Sequence, residues 1–136
     1  MANYKEHLKF AADLHSEMRS SLATDAWPVV VDAGYYAVFH GMEAMNATEC
    51  RNSHSFADAG EILDSILVRQ LGSRFGDQYN HLFYFRRGAI YGSHVPTDAQ
   101  LKRYVEIAED AYRVVVAGVH EAVKRYQLAD AVEVAQ

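Results

Sequence analysis

The sequence predicts an all-α protein, an antiparallel up-and-down bundle of four or five helices. Apolar residues recur at helical spacing along almost the whole chain, whereas the alternation typical of half-buried strands is nowhere sustained. The stretches between these periodic segments are short, and short connections favour antiparallel packing of neighbouring helices. A chain of 136 residues, half of them hydrophobic, has the size and composition of one globular domain. We expect that domain over residues 1–127, followed by a flexible C-terminal tail over residues 128–136.

The first two predicted helices carry long apolar faces, over residues 4–22 and 27–45. Asp25 is expected to cap the second helix, because a side-chain oxygen there accepts from the unpaired N–H groups of the first turn. Pro28 is tolerated in that turn, which needs no N–H donor from it. Aromatic residues on two sides of the second helix predict that it lies at the centre of the bundle.

Three further helices are predicted after a polar stretch. Residues 46–55 are expected to form the longest loop, and a third helix follows over residues 56–71. A fourth helix begins near Phe75, and the last and longest follows it. Glycine and proline end helices, and a Thr-x-x-Gln capping box begins one. The residues expected in these roles are Gly72, Gly92, Pro96, Thr97 and Gln100.

The net charge and the single cysteine exclude several classes of function. With a formal charge of −5, contact with nucleic acid needs a local positive patch, and simple binding of duplex DNA is disfavoured. Cys50 alone allows neither an intrachain disulfide nor a cluster of zinc thiolates. The chain shows no signal peptide, no segment long enough to cross a bilayer and no phosphate-binding motif. We therefore expect a cytoplasmic protein with no membrane partner and no cofactor.

Arg86 lies on the apolar face of the fourth helix, where a hydrophobic residue is expected. A guanidinium stays charged in a protein, so an arginine that faces inward requires partners. Two interpretations are open, a structural ion pair that holds the bundle in register or a residue of a binding pocket. The candidate acidic partners are Asp32, Glu43, Glu106 and Asp110.

Arg87 and His94 are candidate catalytic residues. Arg87 lies about 100° further round the helix than Arg86, and six residues separate it from His94. A histidine can move a proton near neutral pH, and an arginine can stabilise an anionic phosphorane. These are the two groups that a metal-independent ribonuclease needs. The alternative is that His94 is a solvated loop residue.

The second helix offers further candidates for a pocket on its other side, namely Tyr36, His40 and Glu43. His40 and Glu43 are spaced to reach one metal ion, but Ala37 stands where di-iron bundles carry a glutamate. The other histidines share no spacing, so no metal site is expected. The tyrosines that are candidates for stacking on nucleic-acid bases are Tyr84, Tyr91 and Tyr104.

In chain order, the sequence carries the run Tyr35-Tyr36-Ala37-Val38-Phe39-His40, a polar loop with His54, and the run Arg86-Arg87-Gly88-Ala89-Ile90-Tyr91-Gly92. The order and spacing of these motifs resemble the HEPN (higher eukaryotes and prokaryotes nucleotide-binding) superfamily, over residues 4–126. The resemblance implies a four- or five-helix bundle, with the aromatic motif on the second helix and a signature arginine late in the fourth.

The resemblance implies two different roles, depending on the alignment. Ribonuclease members carry an arginine, four to six residues and a histidine, and place two such motifs face to face in a homodimer; Arg87 and His94 satisfy that spacing. In a second branch with the pattern Arg-x-x-Ala-Asp-Tyr, the matching residues are Arg86, Ala89 and Tyr91, with Ile90 in place of the aspartate. Tyr91 then stands where the catalytic histidine would be, and a tyrosine is a poor general base.

Three functional hypotheses follow. The first in rank is a HEPN-like module that dimerises and binds a nucleotide or RNA, or that partners a nucleotidyltransferase in a toxin–antitoxin or defence system. The second is a metal-independent endoribonuclease toxin that uses Arg87 and His94. The third is a helical bundle that binds a metal or another ligand through His40 and Glu43.

Overall fold

The computed structural model describes residues 3–50 and 68–135, with the side chains of 49, 50, 68, 69 and 127–135 left out. Most of these residues are helical, with no strand in either range. Four long helices are present: α1 (Tyr4–Leu22), α2 (Trp27–Cys50), α4 (Ser73–Arg86) and α5 (Asp98–Ala135), with a short α3 (Val68–Leu71) before α4. A π-helical turn, Arg87–Tyr91, continues α4. The prediction of an all-α bundle is confirmed.

Contacts between the long helices give their relative directions. His7 near the start of α1 meets His40 late in α2, and Arg86 at the end of α4 meets Asp32 early in α2. Both α1 and α4 therefore run antiparallel to α2. Gly34 and Gly41 lie against Tyr104 and Val115 in the same order, so α5 packs directly on α2 and runs parallel to it. The four long helices thus alternate in direction along the chain.

Helix α2 supplies the centre of the core, as predicted. Its residues Val30, Val31, Val38, Met42 and Met45 are almost fully buried. The side chains that pack with them come from all three other long helices and include Met18, Phe75, Leu82, Val115, Val119 and Ala122. Close approach of α2 to α5 depends on Gly41, since a Cβ there would lie 2.5 Å from Val115 Cγ1.

The predicted loop at residues 46–55 is wrong in its first half, because α2 continues to Cys50. Thr48 is buried, and its hydroxyl donates to the carbonyl of Ala44 at 2.8 Å. A threonine can satisfy its hydroxyl within the helix in this way, so a polar sequence does not end it. The rest of that loop and most of the third predicted helix lie outside the described residues.

Most of the predicted helix ends are confirmed. Gly72 follows α3 with a left-handed φ of 93°, Pro28 lies in the first turn of α2, and the Thr97–Gln100 capping box forms with both of its hydrogen bonds. Asp25 is not the cap of α2, because it has a left-handed φ of 56° and the first helical bond runs from Val30 N–H to the carbonyl of Ala26.

Helix α5 extends to Ala135, so the backbone is helical over most of the stretch assigned to a tail. The boundary between domain and tail at residue 127 stays a prediction. Within the described ranges, no helix combines the length and the apolar character needed to cross a membrane.

Candidate functional site

Arg86 at the end of α4 is held by side chains of α2. Its Nε donates to Asp32 Oδ1 at 2.7 Å, and its Nη2 donates to the hydroxyl of Tyr36 at 3.2 Å. The side chain of Arg86 is 13% exposed, whereas that of Asp32 is 44% exposed. Of the acidic residues predicted as partners, Asp32 is therefore the one that pairs with Arg86.

Two of the other predicted partners are engaged elsewhere. Asp110 accepts from Gln78 at 2.6 Å and pairs with Arg74 at 3.2 Å. Glu106 pairs with Arg103 at 3.6 Å on its own helix. Arg86 thus depends on one carboxylate, and the remainder of its surroundings is aromatic.

Three tyrosine rings surround the guanidinium group of Arg86. Their centroids lie 5.2 Å (Tyr35), 4.9 Å (Tyr36) and 5.5 Å (Tyr91) from its central carbon, within the range of cation–π attraction. Burial lowers the pKa of Arg86, but hydrogen bonds to Asp32 and Tyr91 and the charge of Asp32 outweigh it and raise the pKa above its ordinary value. The arginine is therefore a permanently charged group enclosed by α2 and the π-helical turn.

Beneath this cluster, Tyr104 closes the core. Its hydroxyl donates to the carbonyl of Val31 at 2.6 Å, and its side chain is fully buried. Burial raises the pKa of Tyr104 well above its ordinary value, so the phenol stays neutral. The prediction that Tyr104 could stack on a base is wrong, because its ring is buried against α2 and against Phe85 of α4.

The residues that follow Arg86 adopt an irregular local structure. The N–H of Gly92 donates to the carbonyl of Arg87, five residues back, and the N–H of His94 donates to the carbonyl of Gly88. Between them, Ser93 has a left-handed φ of 57°. A Cβ on Gly92 would lie 2.6 Å from the oxygen of Gly88, so this turn requires glycine. Single π-helical turns and left-handed residues other than glycine are frequent at functional sites.

Arg87 and His94 lie close together along the backbone but are not joined through their side chains. Both side chains are exposed. The backbone N–H of His94 donates to the carbonyl of Gly88, the residue after Arg87. Among the described residues, no ion pair involves Arg87 and no hydrogen bond links its side chain to His94. The structure brings the two residues to one end of α4 without forming a catalytic pair within one chain.

Large apolar side chains are exposed at the same end of α4. Tyr84 is 64% exposed, Tyr91 is 71% exposed and Val95 is 64% exposed. On a helix, residues three and four apart are neighbours, so Tyr84 and Tyr91 flank Arg87. We call the group formed by Tyr84, Arg87, Tyr91, His94 and Val95 the Arg87 surface. The sequence predicts Tyr84, Arg87, Tyr91 and His94 as candidate residues, but it does not predict Val95.

The predicted pocket residues on α2 separate into two places. Tyr36 joins Arg86, as described above, but His40 lies against α1, where its Nδ1 is 3.2 Å from Nδ1 of His7. Burial and the proximity of His7 lower the pKa of His40, and Glu43 partly offsets them. Sequence reasoning missed His7, because no spacing links two residues on different helices.

Depressions lined by described residues open at two places considered for a site. One, of about 190 Å³, lies beside the Arg86–Asp32 pair and is lined by Leu14, Glu17, Val29, Asp32, Ala33 and Tyr36. The other, of about 380 Å³, lies between α4 and α5 and contains the paired charges of Arg74, Asp110, Arg103 and Glu106. Neither of these two depressions is lined by a residue of the Arg87 surface.

Comparison with known proteins finds no relative of this chain. No protein-family model matches the chain, and neither a curated protein nor a solved structure matches it. The candidate site therefore stands on its residues and their geometry, and the resemblance to the HEPN superfamily stays a prediction.

Proposed function

We propose that this chain is a HEPN-like binding module that dimerises and binds a nucleotide or single-stranded RNA through the Arg87 surface, without cleaving it. The observation that carries the proposal is the contrast between the two adjacent arginines. Arg86 is bound to Asp32 and Tyr36, so it is not available to a ligand. Arg87 is exposed beside two exposed tyrosines, so it is available to a ligand.

Tyr91 provides the platform for a base. Its ring lies over the guanidinium of Arg86, a contact that favours this orientation, while most of its surface remains open to solvent. Stacking of a base on an exposed aromatic ring contributes about 1–3 kcal/mol and tolerates any base. A ring that is already held in place loses little entropy when the ligand stacks on it.

Arg87 provides the contact with phosphate. It has no ion pair within the described ranges, and a guanidinium is suited to bidentate contact with phosphate oxygens. The chain as a whole is acidic, so contact with a nucleic acid depends on local positive charge such as that of Arg87. A short or single-nucleotide ligand therefore fits better than a long duplex.

The apolar part of the Arg87 surface supports a protein partner. Tyr84 and Val95 are large apolar side chains exposed to solvent, and clusters of this kind occur at protein interfaces. A second copy of the chain is the partner implied by the HEPN resemblance, and a nucleotidyltransferase is the other. A nucleotidyltransferase reading frame beside the gene would support the second partner and a toxin–antitoxin or defence role.

Binding is best tested by calorimetry with ATP and by fluorescence anisotropy with a labelled single-stranded RNA. Arg87→Ala and Tyr91→Ala are expected to weaken binding by about tenfold each, which corresponds to one lost charge-assisted contact or one lost stacking contact. Matched controls are Arg103→Ala, which removes another exposed arginine, and Phe10→Ala, which removes another exposed aromatic ring. The proposal is overturned if the parent binds neither probe, or if the controls weaken binding as much as the site variants.

A second candidate function is metal-independent ribonuclease activity, and one specific observation favours it. The hydrogen bond from His94 N–H to Gly88 keeps His94 near Arg87, so two copies that meet at this surface could combine the pair. Cleavage of single-stranded RNA in excess chelator tests it, with Arg87→Ala and His94→Ala expected to abolish activity. An intact RNA substrate after incubation with the parent dimer would exclude this alternative.

A further inference from the structure

His7 on α1 and His40 on α2 face each other across the two helices. Their Nδ1 atoms lie 3.2 Å apart, and their ring centroids lie 5.4 Å apart. Both residues are part-buried. The rings of Phe10 and Phe39 lie next to His40, with centroids at 5.5 Å and 5.6 Å.

The distance between the two nitrogens matches that of two ligands on one metal ion. Zinc binds imidazole nitrogen at about 2.0–2.1 Å with tetrahedral geometry, which separates two ligand nitrogens by about 3.3–3.4 Å. The observed 3.2 Å agrees with that separation to within the tolerance of about 0.2 Å expected for a metal site. In the described part of the chain, each Nδ1 has the other as its hydrogen-bond partner, so a metal ion would displace a single hydrogen bond.

We propose that His7 and His40 form a two-histidine chelate for a divalent transition-metal ion, through Nδ1 of each ring. Imidazole nitrogen suits zinc, copper and nickel. No group of three or more histidine, cysteine or carboxylate side chains that could hold a metal occurs among the described residues, and water is proposed to fill the remaining coordination positions. The charge of Glu43 acts on His40 and favours a cation there.

The consequence of metal binding is a crosslink between α1 and α2. The two histidines are 33 residues apart in the sequence, and they join the first turns of α1 to the second half of α2. An ion that binds the folded state and not the unfolded chain raises the melting temperature with its concentration. The site is separate from the Arg87 surface, so it can succeed or fail independently of the proposed function.

The test is titration of the metal-free full-length chain with Zn²⁺ and, separately, Ni²⁺, followed by calorimetry and thermal unfolding. We expect one high-affinity ion per chain and a melting temperature that rises with metal concentration. His7→Gln and His40→Gln are each expected to weaken metal binding by about tenfold or more. Once one histidine holds the ion, the second binds it within the same molecule at a high effective concentration, and each variant loses that second contact. His81→Gln and His120→Gln remove exposed histidines elsewhere and are expected to bind like the parent.

Circular dichroism of each variant without metal checks that the fold is retained. If His40→Gln fails to fold, His7→Gln decides the question, because His7 lies on the outer helix α1. The proposal is overturned if the parent binds neither ion or if His7→Gln binds as tightly as the parent. It is also overturned if the control variants lose as much affinity as the two site variants.

Discussion

Two neighbouring arginines of this protein occupy opposite environments. Arg86 is bound by Asp32 and Tyr36 and surrounded by three tyrosine rings. Arg87 is exposed and forms no ion pair with any of the described residues. The same side chain one position later meets a different environment, because a helix turns by about 100° per residue. The comparison separates a charge that stabilises the bundle from a charge that is free to bind a ligand.

The largest expected effect distinguishes the two arginines by stability. Arg86→Ala leaves Asp32 unpaired and removes the packing of the three tyrosines, so we expect the free energy of unfolding to fall by about 2–3 kcal/mol, below the full cost of a broken buried pair because Asp32 is partly exposed. Arg87→Ala is expected to change it by less than about 0.5 kcal/mol. Urea denaturation of both variants checks this, and equal losses would contradict the division of roles.

A second prediction concerns Gly92, at the end of the π-helical turn that begins at Arg87. Gly92→Ala is expected to destabilise the fold by about 1–3 kcal/mol, because its Cβ meets the oxygen of Gly88 at 2.6 Å and the neighbouring backbone must shift. It is also expected to weaken ligand binding at the Arg87 surface. Gly88→Ala is the matched control, since a Cβ there meets nothing within 4 Å. Similar unfolding curves for the two variants would refute the steric argument.

The third prediction compares a buried and an exposed tyrosine near the two arginines. Tyr104→Phe removes the donor to the carbonyl of Val31 and leaves that buried oxygen with one partner fewer, at a cost of about 1–2 kcal/mol. Tyr84→Phe removes an exposed hydroxyl and is expected to have almost no effect. Thermal unfolding of the pair provides the measurement, and a stable Tyr104→Phe variant would show that the buried hydroxyl contributes little.

Among the residues that contact Arg86 or form the turn after it, the smallest expected effect on stability is that of Tyr91. Tyr91→Ala removes one of three rings around Arg86, and an exposed cation–π contact contributes about 0.5–1 kcal/mol. Its effect on nucleotide binding is expected to be larger than its effect on stability. A loss of stability as large as that of Arg86→Ala would mean that Tyr91 serves the fold and not a ligand.

Much of the fold could be predicted because its signals are local. The apolar faces of α1, α2, α4 and α5 follow from a helical period visible in the sequence, and the Thr97–Gln100 capping box depends on residues three apart. The predicted loop was wrong where the local composition is typical of a loop but the backbone is helical. Residues 46–50 are polar yet helical, because tertiary packing buries Thr48 and its hydroxyl finds a carbonyl within the helix.

The sequence identified most residues of the candidate site but not their arrangement. Arg86 was expected to need an acidic partner, and four were equally possible from spacing alone. Tyr36, His40 and Glu43 were grouped by helical face, but Tyr36 contacts Arg86 while His40 contacts His7. These outcomes depend on which helices pack together and how their side chains cross the interface.

The sequence by itself determined the helical class, the positions of most helix ends and the presence of an inward-facing arginine, because each depends on residues within one or two turns. Tertiary structure alone decided that Asp32 is the partner of Arg86, that Tyr104 is enclosed, and that His7 meets His40. These contacts join residues 33 to 73 positions apart. No local pattern encodes them, since they follow from the directions and distances that the packed helices impose.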